Sequence, residues 1–487
     1  MFFFTFIILF LLFLHVNSKY IFVMTHFRHG ARAPQRFYNK KEYLDYALEH
    51  WDTPGELTAS GQRMHYLLGI RNRYRYIIDE NFLSEKFDPH EILIYSSCLN
   101  RTINSAASQL QGLYPQYVQK GETLFDNQTD YSYPKANINK IIIDEQLKLL
   151  GNYSLPNSMI LAPIRMINNN EKKMRLYDTG KCKDKTLEIK NENEKTLQIL
   201  KDKIEDFKNK YSEKLKIFYE KDDNYDLSFI DNFCDGFISA YNERKDMKLL
   251  KAGFNDTDLK DFCFDFQVKN FRDWILGDKE HSLAHLESSK LMSEFIYYMD
   301  KRIKNDINQN KDPNNDVDKN LDDYSNPKML MISGHDTTIS CFEIFLGVAF
   351  DQNLTEFYRY PEFASQISFE VVPKDENTKG TKEDDYSVKY YFDDKLVLTI
   401  PVPEFKKKVE KQIWNDEKIN NFCGYSNENG ESNKDNDNSL KIYLIIFISS
   451  TVLFLISTIV LFIKLKKSNK PPSRIYESLV PNIDEKN

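Results

Sequence analysis

The chain reads as an α/β protein: a mixed, mainly parallel central sheet flanked by helices, with a smaller helical lobe inserted into it and one transmembrane helix near the C-terminus. Three observations predict this. Residues 21–27 (Ile-Phe-Val-Met-Thr-His-Phe), 91–95 and 329–332 are short apolar, β-branched and aromatic runs with the composition of buried strands. Each stops at polar residues and is followed by a helical pattern, the alternation expected of an α/β sheet. From residue 125 to 278 the pattern changes to Lys/Glu-rich helical stretches such as 192–216, then 229–241 and 259–274, whose charge runs read as solvated faces of an inserted lobe.

The first strand ends in Arg28-His29-Gly30-Ala31-Arg32-Ala33-Pro34. Ligands of open α/β sheets bind outside the carboxyl ends of the strands, so charged chemistry here stands where a site is expected. Two guanidinium forks match phosphate oxygens and stay charged at any relevant pH, and they flank an imidazole able to act as a nucleophile. An arbitrary Arg-His-Gly triplet is more often a solvated loop. The whole stretch, however, resembles the R-H-G-x-R-x-P signature of the histidine acid phosphatases.

Downstream, Thr58 caps a helix running through 66–76, with Leu67, Leu68 and Ile70 toward the core. Leu57-Thr58-Ala59-Ser60-Gly61 resembles the L-T-x-x-G helix of the same family, which makes His65 structural. The strand at 91–95 turns through Ser96-Ser97-Cys98-Leu99-Asn100 into a helix that begins near Arg101, and an arginine beside a helix N-terminus suits an anion. Arg101-Thr102 and Ser105-Ala106 resemble the family's R-T-x-x-S-A motif, whose arginine binds phosphate. Tyr95, Ser96, Ser97 and Cys98 depart from the family's usual preceding residues, and the role of Cys98 is open.

A helix at 288–303 and an Asn/Asp/Lys-rich surface loop at 304–327 precede the strand at 329–332. That strand ends in Ser333-Gly334-His335-Asp336-Thr337-Thr338, which resembles the family's distal His-Asp motif. Residues 360–371 alternate like a strand, and 386–391 and 396–400 read as a hairpin around Asp393-Asp394.

Residues 1–18 read as a cleaved signal peptide, and 442–463 is an unbroken apolar and Ser/Thr run long enough to span a bilayer. Lys464, Lys466, Lys467 and Lys470 follow it, which places the tail 464–487 in the cytosol and the bulk of the chain in the lumen or outside. The expected layout is a first core part at 19–124, the lobe at 125–278, a second core part at 279–423, a polar stalk at 424–441, the span and the tail. Tyr476-Glu477-Ser478-Leu479 resembles the sorting signal that adaptor proteins read, so lysosome, endosome or cell surface is the expected destination. A net charge of −7 argues against nucleic acid as a partner. The six cysteines fall in the expected luminal part and allow fifteen full pairings. No C-x-x-C pair suggests zinc. Sequons at Asn127, Asn152, Asn255 and Asn353 suit a secreted surface, whereas Asn100 is expected to be buried in the site and unmodified.

The resemblance implies a phosphoglycerate-mutase-like core, a lobe that shapes substrate choice, and no cofactor or metal. It implies His29 as nucleophile forming a phosphohistidine, Arg28, Arg32, Arg101 and His335 as phosphate ligands, and Asp336 as proton donor. A Cys182–Cys423 pair joining lobe to core is also expected. The expected substrate is a small phosphomonoester, and the oligomeric state is open, a homodimer included. A phytase or inositol-polyphosphate phosphatase is the nearest alternative; a non-catalytic type I receptor is the alternative from another class.

Overall fold

A computed structural model describes residues 19–36, 51–116, 123–124, 147–155, 161–167, 201–202, 205–211, 227–243, 257, 259–267, 281–311, 326–375 and 379–424. Seven strands, β1 (Phe22–Arg28), β2 (Ile92–Ser97), β3 (Arg165–Ile167), β4 (Met329–Gly334), β5 (Gln366–Pro373), β6 (Tyr386–Phe392) and β7 (Lys395–Pro401), form one sheet in the order β3-β2-β4-β1-β5-β6-β7. β1 lies inside the sheet with every residue buried, which is why its sequence is a continuous apolar run rather than an alternating one.

β3, β2, β4 and β1 are mutually parallel, and β5, β6 and β7 continue antiparallel. The sheet is therefore mixed, as expected, but its parallel pairings are confined to one side. For β6 and β7 the reason is local: Asp393 and Asp394 both have positive φ, 41° and 68°, and close a two-residue hairpin that permits only antiparallel pairing.

Helices cover both faces. Phe22 and Met24 of β1 and Leu330 and Ile332 of β4 face a core shared with α4 (Ser282–Lys311), α5 (Asp336–Ala349) and α7 (Val402–Val409). The alternate residues Val23, Phe27, Met329 and Met331 face α1 (Ala59–Arg73), a π-helical turn at Tyr74–Ile78, and α2 (Asn100–Leu113). This period of two on both faces is the three-layer α/β arrangement. The short helix α6 (Leu354–Phe357) adds Phe357 to the first of these cores, and α8 (Asp416–Cys423) buries Ile419 and Cys423.

A separate apolar cluster joins Phe207, Tyr211, Phe229, Phe233, Phe237 and Phe266 from α3 (Leu227–Glu243) and the helical stretches 205–211 and 259–267. The Cys234–Cys263 disulfide clips α3 to the last of these. The segment 125–278 also returns to the sheet as β3, three residues too short to show a period in sequence. The expected surface loop at 304–327 begins as helix instead, because Ile307 continues the buried face of Ile303 and carries α4 to Lys311.

Asn100 is exposed rather than buried: it opens α2 at the rim, where its Nδ2 donates to Glu56 Oε1 at 3.0 Å. Asn152 and Asn353 are exposed, and Asn127 and Asn255 lie outside the described residues. Cys98 and Cys341 are free thiols; Cys423 is disulfide-bonded, and Cys182, its expected partner, lies outside the described residues. Among the described residues no helix is long and apolar enough to cross a membrane; the expected signal peptide, span and tail lie outside them.

Candidate active site

The parallel register sets Arg28 opposite Gly334, so the residues that follow each strand, His29 and His335, meet at the carboxyl edge of the sheet. Their ring centroids are 5.6 Å apart. The His29 backbone N–H donates to Gly334 O at 3.1 Å, and its ring Nδ1 lies 2.9 Å from Gly30 O. A carbonyl only accepts, so Nδ1 carries the proton and Nε2 keeps its lone pair. Gly30 N donates to Ser105 Oγ of α2 at 3.1 Å. A Cβ on Gly30 would lie 2.4 Å from Gly61 O, so glycine lets the histidine turn and the start of α1 touch backbone to backbone.

Three arginines surround this imidazole. Arg28 Nη2 pairs with Asp336 Oδ2 at 2.7 Å, and its Nη1 donates to Pro361 O at 2.9 Å and approaches Tyr360 OH at 3.4 Å. Its guanidinium also lies 4.4 Å from the Phe363 ring centroid. Arg32 forks onto Asp235 of α3, Nη2 to Oδ1 at 2.6 Å and Nη1 to Oδ2 at 3.2 Å. The Nε groups of Arg28 and Arg32 are buried without a hydrogen-bond partner among the described residues, donors left over for an anion. Arg101, in the first turn of α2, acts electrostatically on both His29 and His335.

His335 caps α5, and its Nε2 lies 2.9 Å from Ser97 Oγ at the end of β2. Thr102 Oγ1 donates to Leu99 O at 2.7 Å and so accepts from Ser97 Oγ, also at 2.7 Å. The remaining Ser97 lone pairs therefore receive the His335 Nε2 proton. Asp336 is the first residue of α5; its Oδ1 accepts from Thr337 N at 2.9 Å.

Burial and then Arg28, Arg32, His335 and Arg101 push His29 well below the ordinary histidine range, so it stays neutral in acid. Burial and Arg101, opposed by Asp336, lower His335 to about 3. Burial alone would raise Asp336, but Arg28, His335, Arg32 and the Thr337 N–H outweigh it and hold the carboxyl below its usual range. These neighbours thus favour Asp336 as an anion rather than a stored proton.

All six residues singled out in the sequence lie at this edge, and Thr58 caps α1 as expected, accepting from Gly61 N at 3.2 Å, whereas Leu67, expected toward the core, is exposed. His65 is fully buried against Gln109, a structural residue. Cys98 lies beside the site with its thiol 3.0 Å from Ile167 O. Sequence reasoning missed Asp235, Ser97, Tyr360 and Phe363, because each meets its partner across a long separation without a local signal. Phe363 is fixed by its neighbour: Ala364, at φ 61°, donates to His29 O at 3.2 Å, a left-handed conformation held by the turn.

A seven-stranded mixed sheet with arginines, an unprotonated histidine nitrogen and a His-Asp pair at its carboxyl edge defines an α/β protein with a cationic cluster around a buried imidazole. The chain belongs to the histidine phosphatase superfamily (branch 2), whose family profile matches residues 20–393. Testicular acid phosphatase of Homo sapiens is 38% identical over 97 residues, 20% of this chain and 22% of that protein. Lysosomal acid phosphatase of Homo sapiens is 36% identical over 95 residues, 19% of this chain and 21% of that protein. The matched stretch thus spans about a fifth of the length of these curated relatives. Among solved structures, the phytase from Citrobacter braakii aligns over 84% of this chain and 100% of its own at 14% identity, with a TM-score of 0.49.

Proposed function

We propose that this chain is an acid phosphatase that hydrolyses phosphate monoesters through a phosphohistidine. The observation that carries the reading is the commitment of His29 Nδ1–H to Gly30 O, which leaves the Nε2 lone pair on a ring under the electrostatic influence of three guanidinium groups, with the Asp336 carboxyl at the adjoining strand end. Nε2 attacks phosphorus, the ester P–O bond breaks, and Asp336 gives its proton to the leaving oxygen. Arg28, Arg32, Arg101 and His335 hold the equatorial oxygens, the positioning and charge stabilisation that phosphoryl transfer chiefly needs. The Asp336 carboxylate then takes a proton from the water that attacks the phosphohistidine, releasing phosphate and restoring His29.

The lowered pKa of Asp336 sets a condition on this scheme. A phosphate dianion among the arginines cancels the field that holds the carboxyl ionised, so substrate binding itself raises Asp336 toward protonation. His29 stays neutral under the same acidic conditions. Nucleophile and acid therefore coexist at low pH.

Relatives named lysosomal acid phosphatase support a lysosomal or luminal setting. A signal peptide at 1–18, a type I span at 442–463, glycans at exposed Asn152 and Asn353, and adaptor binding at Tyr476-Glu477-Ser478-Leu479 belong to the same proposal. The test is phosphate release from an aryl phosphate across pH 3–8, with and without chelator, beside His29→Ala. Chelator-resistant release with an acid optimum, lost in the variant, is expected. Well-folded protein without activity would refute the enzyme reading and favour a receptor that keeps the fold.

A further inference from the structure

Two helical stretches of the lobe reach the arginines that flank His29. Asp235, near the middle of α3, takes both terminal nitrogens of Arg32, and its Oδ2 also accepts from Gln35 N at 2.8 Å. Gln267, at the end of the 259–267 stretch, accepts from Tyr360 OH at 3.2 Å, the hydroxyl that lies beside Arg28. The Cys234–Cys263 disulfide joins these stretches and leaves Asp235 as the next residue after the bridge.

The two arginines are not held alike. Arg28 has Asp336, Pro361 O, Tyr360 OH and the Phe363 ring, so its place survives the loss of any one of them. The terminal nitrogens of Arg32 have only Asp235 and the Ala33 carbonyl, at 3.0 Å, among the described residues, and its guanidinium lies farther from the Phe363 ring, 5.8 Å from the centroid. A bidentate carboxylate fixes both the direction and the plane of a guanidinium, and here it engages the far end of the fork while the buried Nε–H has no partner among the described residues.

We infer that Asp235 is a positioning residue: it holds Arg32 in the orientation that receives phosphate, and so places part of the phosphate-binding machinery on the lobe. This rests on the phosphate-site reading above. The opposing possibility is that Asp235 only competes with phosphate for Arg32, and the two differ in sign. Removing a positioning group weakens phosphate binding, whereas removing a competitor tightens it.

The experiment titrates inorganic phosphate calorimetrically into the full chain as wild type, Asp235→Asn, Asp235→Ala and Glu243→Gln, with kcat and KM for an aryl phosphate and thermal melts alongside. Glu243 is the control, since it sits on the same helix but bonds Thr58 and Ser60 at the start of α1. Both Asp235 variants are expected to bind phosphate about tenfold more weakly and to raise KM by a similar factor, with kcat within about threefold, while Glu243→Gln binds like wild type. If Asp235→Ala loses its fold, the isosteric Asp235→Asn, which keeps an acceptor for the Gln35 N–H, carries the comparison. Unchanged or tighter phosphate binding in Asp235→Asn overturns the inference, and so does an equal loss in Glu243→Gln, which would assign the effect to lobe docking. A wild type that binds no phosphate overturns the phosphate-site reading itself, and the inference falls with it.

Discussion

Replacing Asp336 by asparagine separates the two things its carboxyl does. The amide keeps the size and the acceptor for Thr337 N, but it has no proton to give and no charge for Arg28, whose Nη2 is 2.7 Å away. A positioned general acid contributes roughly 10²–10⁴-fold where the leaving group is poor. An alkyl phosphate should therefore lose about a thousandfold in kcat/KM. An activated aryl phosphate, whose phenolate leaves without a proton, should phosphorylate His29 with a loss of less than about tenfold. Binding moves the other way. Arg28 keeps Pro361 O, Tyr360 OH and Phe363 but loses its carboxylate, because an amide whose Oδ1 still accepts from Thr337 N turns its NH2 toward the guanidinium; about 1–2 kcal/mol of Arg28 interaction becomes available to phosphate. Inorganic phosphate should bind Asp336→Asn roughly five- to thirtyfold more tightly. Rapid-mixing measurement of the aryl burst, steady-state rates with an alkyl ester at pH 5, and calorimetric titration read the three quantities. Equal losses with both esters in folded protein would refute the proton-donor role, and weaker phosphate binding would refute the account of the ion pair.

Gly30→Ala puts a Cβ 2.4–2.8 Å from three backbone atoms of Gly61, so the His29 turn and α1 must part; a displacement near 1 Å costs about a hundredfold in kcat, and wild-type turnover in this variant would show the contact to be slack. Ser97→Ala removes the acceptor of the His335 Nε2 proton and should lower kcat/KM about tenfold, read by steady-state kinetics at constant melting temperature; unchanged kinetics would make that hydrogen bond incidental. Stability should fall with acid: burial keeps His29 well below its ordinary range, holds His26 and His335 at about 3, and holds His65 at about 4, whereas the unfolded chain binds these protons near 6.5. The contribution is therefore whole above pH 6.5 and is lost as pH falls toward 3–4, by at most on the order of 1.4 kcal/mol per pH unit for each histidine. Urea midpoints at pH 7 and pH 5 test the sign, and added phosphate should restore part of the loss.

The strands that carry the site were legible because both of their signals are local. A run buried on both faces is mostly apolar, and the polar residues that carry the chemistry gather where each run ends, as at Arg28, Ser97 and Gly334. The Asp393-Asp394 hairpin and the Thr58 cap were legible for the same reason, since each is written in adjacent residues. β3 was not legible, because three residues cannot display a period. Nor was the reach of α4 to Lys311, which hangs on Ile307 in an otherwise polar stretch. The partners of the charged groups were hidden for a different reason. Arg32 meets Asp235 across 203 residues, and Ser97 meets His335 across 238. Among 73 Asp and Glu residues, nothing in the sequence marks the one carboxylate that will face a given guanidinium.

That missing information bears directly on mechanism. From sequence, Asp336 is a carboxyl that needs either low pH or a raised pKa to act as an acid. Its neighbours in the fold push it the opposite way, because Arg28, Arg32 and His335 must be close enough to bind phosphate and are then close enough to stabilise a carboxylate. The two demands are compatible only if the charge that satisfies the arginines changes during the cycle. On the proposed reading, Asp336 is the counter-ion of Arg28, and a substrate phosphate would take over that role. The carboxyl can then accept the proton it later donates. On that reading, the same arginine cluster that holds Asp336 ionised would make its protonation depend on the presence of substrate.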